Sequence, residues 1–211
     1  MFVIGIISQK GGVGKSTVAR MLAREYASAQ WDVLIADMDI QQGTSTDWYT
    51  RRLENKIEPD FSVQKFSTVE KALKQGEKYD LVIFDGAPHA TRQTPQIAKA
   101  SNLVILPAGN SKDDLNPQIR LAHELSDIID HKHIFFTLTR VGDSEAENEG
   151  TQDWIEQAGY KVLKGAIPER TAYRNAMDDG KTLTETRFKT LNDKADEVVQ
   201  AVVDQFKTLT G

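Results

Sequence analysis

The chain contains no cysteine among its 211 residues. Disulfides, thiolate zinc sites and cysteine-held iron–sulfur clusters are therefore excluded, and the composition fits a reducing compartment such as the cytoplasm. Long apolar runs are also missing: nothing approaches the roughly 20 residues that a membrane-spanning helix needs. The opening Met-Phe-Val-Ile-Gly-Ile-Ile-Ser has neither the basic flank nor the small-residue cleavage site of a secretory signal. An excess of positive charge is lacking too. The net charge is -5, so binding to nucleic acid would need a local basic patch rather than the field of the whole protein. No internal repeat, low-complexity tract or linker interrupts the sequence. What remains, 39% hydrophobic and 27% charged residues, is the make-up of an ordinary globular protein. The length predicts one domain spanning residues 1–211.

Apolar runs alternate with stretches of helical periodicity. The expected strands are Phe2–Ser8, Val33–Ala36, Phe61–Phe66, Leu81–Phe84, Leu103–Leu106 (stopped by Pro107), Ile134–Thr139 and Val162–Ile167. Helices are expected over Ser16–Gln30, Thr46–Leu53, Thr68 to about Gln75, Ile119–Ile129, Glu147–Gln157 and Leu191–Leu209. Most of these strands are apolar throughout, as strands covered on both faces should be. Together with the alternation they predict an α/β fold with a doubly wound, mostly parallel sheet flanked by helices. Asn55–Asp60 and the acidic Gly142–Gly150 are expected to be the least ordered stretches.

Between the first strand and the first helix lies Lys10-Gly11-Gly12-Val13-Gly14-Lys15-Ser16-Thr17. A glycine loop in this context can turn backbone N–H groups inward on a polyphosphate, helped by the positive end of the following helix. Gly11, Gly12 and Gly14 permit close approach, Lys15 reaches the β- and γ-phosphates, and the Ser16 hydroxyl is a Mg²⁺ ligand. Acidic residues close two further strands: Asp37 and Asp39 in Ala-Asp-Met-Asp-Ile-Gln-Gln, and Asp85 in Leu-Val-Ile-Phe-Asp-Gly. Taken singly, each aspartate is better explained as a turn former or helix cap. Taken with the glycine loop, they fall where an open α/β sheet binds its ligands, at the carboxyl ends of the strands.

The loop departs from the ordinary phosphate-loop pattern in having Gln9 where a glycine is usual and a second lysine, Lys10, before the glycines. In this it resembles the ParA/MinD family of deviant Walker A ATPases, and the resemblance covers most of the chain. It implies that ATP and Mg²⁺ are the cofactors and that Lys10 crosses to the partner's nucleotide in an ATP-sandwich homodimer. It further implies that Asp39 orients the attacking water, and that Asp37 and Asp85 belong to the Mg²⁺ shell. The family commonly has a hydroxyl residue and prolines after Asp85, where this chain has Gly86-Ala87-Pro88-His89; His89 is read as a loop residue. No Asn-Lys-x-Asp tetrad for guanine is present. By resemblance, adenine would be held around Thr139-Arg140 and Ile167-Pro168, with Arg140 and Pro168 as contacts.

Relatives in the family bind either DNA or membranes. A membrane-surface helix carries Lys and Arg on its polar face, but the C-terminal helix here carries Asp193, Asp196, Glu197 and Asp204 with only Lys194 and Lys207. It is read as packing on the body, with no membrane partner. Lys161, Lys164, Arg170, Arg174, Lys181, Arg187 and Lys189 form a stretch richer in base than acid. From the residues alone this is equally an ordinary mixed surface; the resemblance implies non-specific DNA binding. With the first strand beginning at Phe2, no helix-turn-helix is expected before it. The implied activity is slow ATP hydrolysis stimulated by a ParB-like or other adaptor, positioning a DNA locus or protein assembly on the nucleoid. The alternatives are a metabolic enzyme of similar fold, such as a dethiobiotin-synthetase-like ligase, and a MinD-like membrane-associated ATPase.

Overall fold

The computed structural model describes residues 1–88 and 92–210; His89 lies outside the described residues. Seven strands form one parallel sheet: β1 (Phe2–Ile6), β2 (Val33–Asp37), β3 (Ser62–Lys65), β4 (Leu81–Asp85), β5 (Leu103–Ala108), β6 (Ile134–Val141) and β7 (Lys161–Pro168). Their order across the sheet is β3-β2-β4-β1-β5-β6-β7. Among the described residues eight α-helices connect or follow them: α1 (Lys15–Ser28), α2 (Thr44–Glu54), α3 (Val69–Gly76), α4 (Gln93–Ala100), α5 (Lys112–Ser126), α6 (Glu145–Gln157), α7 (Thr171–Asp178) and α8 (Lys189–Thr210).

Alternate residues of each strand feed two apolar layers. Ile4, Ile6 and Ile35 pack beneath α1, α2, α7 and α8. Val3, Ile7, Leu34 and Ala36 pack beneath α3, α4, α5 and α6. With both faces covered, uninterrupted apolar strands bury every side chain, and this is why their runs stand out in the sequence. The chain winds from central β1 to one edge, returns as β4, then crosses to β5 on β1's other side. That reversal opens the crevice in which such sheets bind ligands.

All seven expected strands are present, with shifted ends. β1 closes at Ile6, before Ser8. Pro107 does not stop β5: it stays in register with Thr137 of β6, and the strand runs on to Ala108. A proline lacks only its own N–H, so its carbonyl remains free to bond; that carbonyl accepts from Gln118 Nε2 at 2.9 Å. α5 starts at Lys112 rather than Ile119, because Ser111 caps it by accepting from the Asp114 N–H at 3.1 Å and Asp113 and Asp114 complement the helix dipole.

The acidic stretch expected to be poorly ordered supplies the start of α6 for the same reason. Ser144 accepts from the Glu147 N–H at 3.2 Å, and Glu145 and Glu147 sit in the first turn. Asn55–Asp60 is tied down as well: Asn55 Nδ2 donates to the Asp179 carbonyl at 2.9 Å and Tyr49 donates to Asp60 at 2.7 Å. α4 and α7, too short for a clear period, complete the fold. The apolar stripe of α8 is covered. Ala195, Val198 and Val202 are fully buried, and Phe206 meets the edge of Phe2 at 4.2 Å between ring centres. Among the described residues no helix is long and apolar enough to cross a membrane.

Candidate nucleotide site

A cavity of about 720 Å³ opens at the carboxyl ends of β1, β2, β4 and β7. Its polar end is lined by Gly11, Gly12, Gly14, Lys15, Ser16, Thr17, Asp37, Asp39 and Asp85. Ile167, Pro168, Tyr173, Met177 and Leu183 give the cavity an apolar portion, with Arg20, Arg140, Glu169, Arg170, Arg174 and Asp178 also on its walls. A hollow of this size with one charged and one apolar end suits a ligand that is itself polyanionic at one end and flat and apolar at the other.

The loop gains its shape from glycines in the left-handed region, φ 78° at Gly12 and 93° at Gly14, which a side chain would strain. Contacts from distant elements then fix it. Thr139 Oγ1 donates to the Val13 carbonyl at 2.7 Å, and the Arg140 guanidinium donates to the Gly12 carbonyl and, at 3.1 Å, to Glu169. Arg140 itself has φ 57°, an uncommon conformation for a non-glycine residue and one that clusters at functional sites. It sits where the β6–β7 register shifts. Buried Gln118 of α5 accepts from the Gln9 N–H at 3.2 Å and donates to the Ile7 and Pro107 carbonyls. Gln9 is therefore an anchoring point of the loop.

The two lysines have different surroundings. Lys15 opens α1, is buried, and donates to the Lys10 carbonyl at 3.3 Å. Burial lowers its pKa, and Asp85 and Asp39 oppose that shift. Lys10 is 45% exposed and paired with Asp114 in the first turn of α5. Burial would raise the Asp114 pKa, but hydrogen bonds from Lys10 and Ser111 and the charges of Lys10 and Arg140 leave it lowered.

The aspartates come together because β2 and β4 are in register, with Asp37 opposite Asp85. Asp37 accepts from the N–H groups of Asp39, Ser45 and Thr46 at 3.1–3.3 Å. Its pKa is raised by burial and by the neighbouring Asp85. Asp85 Oδ2 accepts from Ser45 Oγ at 2.6 Å, while Oδ1 is buried without a hydrogen-bond partner. Asp39 is held by its own turn, its Oδ1 accepting from the Gln41 and Gln42 N–H groups at 3.1 and 3.0 Å. Two adjacent buried carboxylates, one with an unused oxygen, suit a divalent cation. Among the described residues no group of three or more His, Asp or Glu could hold a metal alone. Such a cation would therefore be completed by phosphate oxygens and water, the usual manner of Mg²⁺.

The seven basic residues of the predicted DNA stretch separate into three groups. Arg170 and Arg174 line the nucleotide cavity, Arg170 paired with Asp143. Lys161 and Lys164 lie on edge strand β7, Lys164 paired with Glu197 at 3.1 Å. Lys181 and Arg187 line a second hollow with exposed Phe188, and Lys189 follows at the start of α8, bonded to Asp193 at 2.9 Å. Sequence reasoning missed Gln118, Asp114, Arg20 and Ser45. Arg20 carried a faint signal, a cation between the buried Ala19 and Met21 of α1.

Residues 4–183 match the family described as the CobQ/CobB/MinD/ParA nucleotide binding domain. The maintenance of carboxysome distribution protein A of Gloeobacter kilaueensis is 26% identical over 191 residues, which is 89% of this chain and 86% of that protein. Protein ParA of Rhizobium radiobacter is 25% identical over 195 residues, 90% of this chain and 88% of that one. In fold the chain is similar to the septum site-determining protein MinD of Pyrococcus horikoshii, solved with Mg-ADP, at a TM-score of 0.77 and 18% identity, covering 99% of this chain and 98% of that one. The chain belongs to the CobQ/CobB/MinD/ParA family of nucleotide-binding domains.

Proposed function

We propose that this protein is a ParA-type ATPase that binds ATP·Mg²⁺ in the cavity, pairs with a second copy through the bound nucleotides, and hydrolyses ATP slowly. The observation that carries this reading is the convergence of Lys15, Asp37, Asp39 and Asp85 on one hollow, with exposed Lys10 next in sequence to Gly11 of its lining. The polyphosphate is received by the N–H groups of residues 11–17, including Val13 and Thr17, and by the Lys15 ammonium. The apolar end, from Ile167 and Pro168 to Tyr173, fits the adenine face, and the relatives solved with Mg-ADP, ATP and AMPPNP support this nucleotide and metal.

Ser16, Asp37 and Asp85 would hold Mg²⁺ and its water, and Mg²⁺ supplies charge neutralisation at the β- and γ-phosphates. Asp39, fixed by its turn, orients a water whose oxygen bonds to the γ-phosphorus as the bond to the β–γ bridging oxygen breaks; the proton passes to solvent through the Asp39 carboxylate. Lys10 of the second copy meets the charge that develops there. The monomer has to release Lys10 from Asp114 first, which fits a slow basal rate.

The relatives named for carboxysome distribution and ParA support a role in positioning or partition. DNA binding without sequence preference would use Lys181, Arg187 and Lys189, doubled in the dimer, with Lys161 and Lys164 on the neighbouring edge strand. Such binding makes the ATP form nucleoid-associated, and an adaptor of the ParB type, by accelerating hydrolysis, releases it. The test is retention on DNA of arbitrary sequence. Wild-type protein is retained with ATP·Mg²⁺ and not with ADP, and Lys15→Gln is not retained with either. Equal retention under all four conditions overturns the reading.

A further inference from the structure

Ser45 lies behind the carboxylates, outside the lining of the nucleotide cavity, while Arg20 reaches the cavity wall beside them. Ser45, in the first turn of α2, is fully buried. Its N–H donates to Asp37 Oδ2 at 3.2 Å, and its Oγ donates to Asp85 Oδ2 at 2.6 Å. Arg20 of α1, 5% exposed, donates from Nε to the same Ser45 Oγ at 3.1 Å, and its guanidinium lies over the Trp48 ring at 5.2 Å. Its Nη2 is buried with no hydrogen-bond partner. A guanidinium kept out of water without a direct carboxylate partner is costly, so its position calls for a role.

That role follows from counting protons. A serine hydroxyl has one hydrogen and accepts with its lone pairs. The Arg20 Nε–H fills the accepting side, so the Ser45 hydrogen has to point elsewhere, and Asp85 Oδ2 is 2.6 Å away. The arrangement ties up one oxygen of Asp85 and leaves Oδ1 buried and unused. Because the Ser45 and Thr46 N–H groups also grip Asp37, the first turn of α2 holds both carboxylates at a fixed relation.

We propose that Ser45 is a positioning residue for the divalent cation. It presents Asp85 Oδ1 to the hydrated ion, and Arg20 keeps the Ser45 hydroxyl turned toward Asp85. The proposal rests on the ATP·Mg²⁺ reading above. Partners of this kind behind metal ligands typically change metal affinity by about 10–100-fold.

The test is binding of a fluorescent ADP analogue at fixed nucleotide while Mg²⁺ is titrated, together with binding in EDTA. Ser45→Ala should raise the Mg²⁺ midpoint about tenfold or more, with affinity in EDTA within about twofold of wild type; Ser45→Thr should restore the midpoint. Arg20→Lys keeps the charge and loses the Nε donor, and should raise the midpoint about threefold or more; it serves alone if Ser45→Ala does not fold. A midpoint within twofold of wild type overturns the proposal, as does equal weakening in EDTA, which would make Ser45 a general element of the fold. Absence of nucleotide binding by the wild type would instead sink the ATP·Mg²⁺ reading itself.

Discussion

Arg52 is the place where a single substitution should cost the fold most. Its side chain is 1% exposed, with the guanidinium 5.7 and 5.4 Å from the Trp48 and Phe61 ring centres, and forms a two-pronged pair with Glu185, Nη1 to Oε2 at 2.8 Å and Nη2 to Oε1 at 3.1 Å. It also donates to the Gly180 and Pro59 carbonyls, each at 3.2 Å. Arg52→Met keeps the aliphatic stem in its slot but leaves a carboxylate, 11% exposed, with only Arg24 at 3.4 Å and the Thr182 N–H and hydroxyl at 2.7 and 3.1 Å.

Breaking one side of a buried pair costs about 3–5 kcal/mol, and the remaining partners put this case near the lower bound. At roughly 3 °C per kcal/mol for a chain of this size, the melting temperature should fall by about 9 °C. The assay is urea and thermal unfolding followed by circular dichroism at pH 7. Neutralising both partners, Arg52→Met with Glu185→Gln, should recover about 1–3 kcal/mol relative to the sum of the single changes. A loss under about 1 kcal/mol for Arg52→Met, or strict additivity in the double variant, would refute the reasoning.

The same pair gives a pH dependence. Burial pushes the Glu185 pKa up, but the hydrogen bond and charge of Arg52, with Thr182 and Arg24, leave it below the ordinary value of 4.5. A depressed carboxylate contributes stability that is complete above its unfolded pKa and lost as pH falls through the folded one. The stability gap between wild type and Glu185→Gln should therefore narrow below about pH 4; a gap that widens with acid would contradict the assignment. Gly180→Ala should cost about 3 kcal/mol in the same unfolding assay, because φ is 79° and a Cβ would meet the Arg52 backbone nitrogen at 2.5 Å; a neutral effect would show that the turn can relax. Asp114→Asn should free Lys10 and strengthen the ATP dimer by up to about fivefold per subunit, the scale of an exposed ion pair. A weaker dimer in sedimentation would mean that Asp114 itself serves the interface.

The strands were legible because burial on both faces writes them as unbroken apolar runs, and the phosphate loop because its chemistry demands glycine and lysine at fixed spacing. The residues that hold the site in place left no such mark. Gln118 meets the loop across more than a hundred positions, and Ser45 meets Asp85 across 40. Either residue, read alone, is an unremarkable polar side chain on a helix. α5 was placed too late because its first turns are polar and contain Pro117; only the Ser111 cap and the acidic first turn betray its start. The basic residues from Lys161 to Lys189 looked like one stretch in sequence, but the turn after β7 sends Arg170 and Arg174 to the nucleotide cavity and Lys181 and Arg187 to another hollow.

The central claim is that the cavity is half of a two-copy ATP site, and molar mass in solution tests it most directly. Asp39→Ala, which should bind ATP and fail to turn it over, is measured by sedimentation with ATP·Mg²⁺, with ADP·Mg²⁺ and without nucleotide. Asp39→Ala should show twice the mass of the 211-residue chain with ATP alone, and Asp39→Ala combined with Lys10→Ala should remain a monomer. A monomer with every nucleotide, or a dimer indifferent to nucleotide, would contradict the claim.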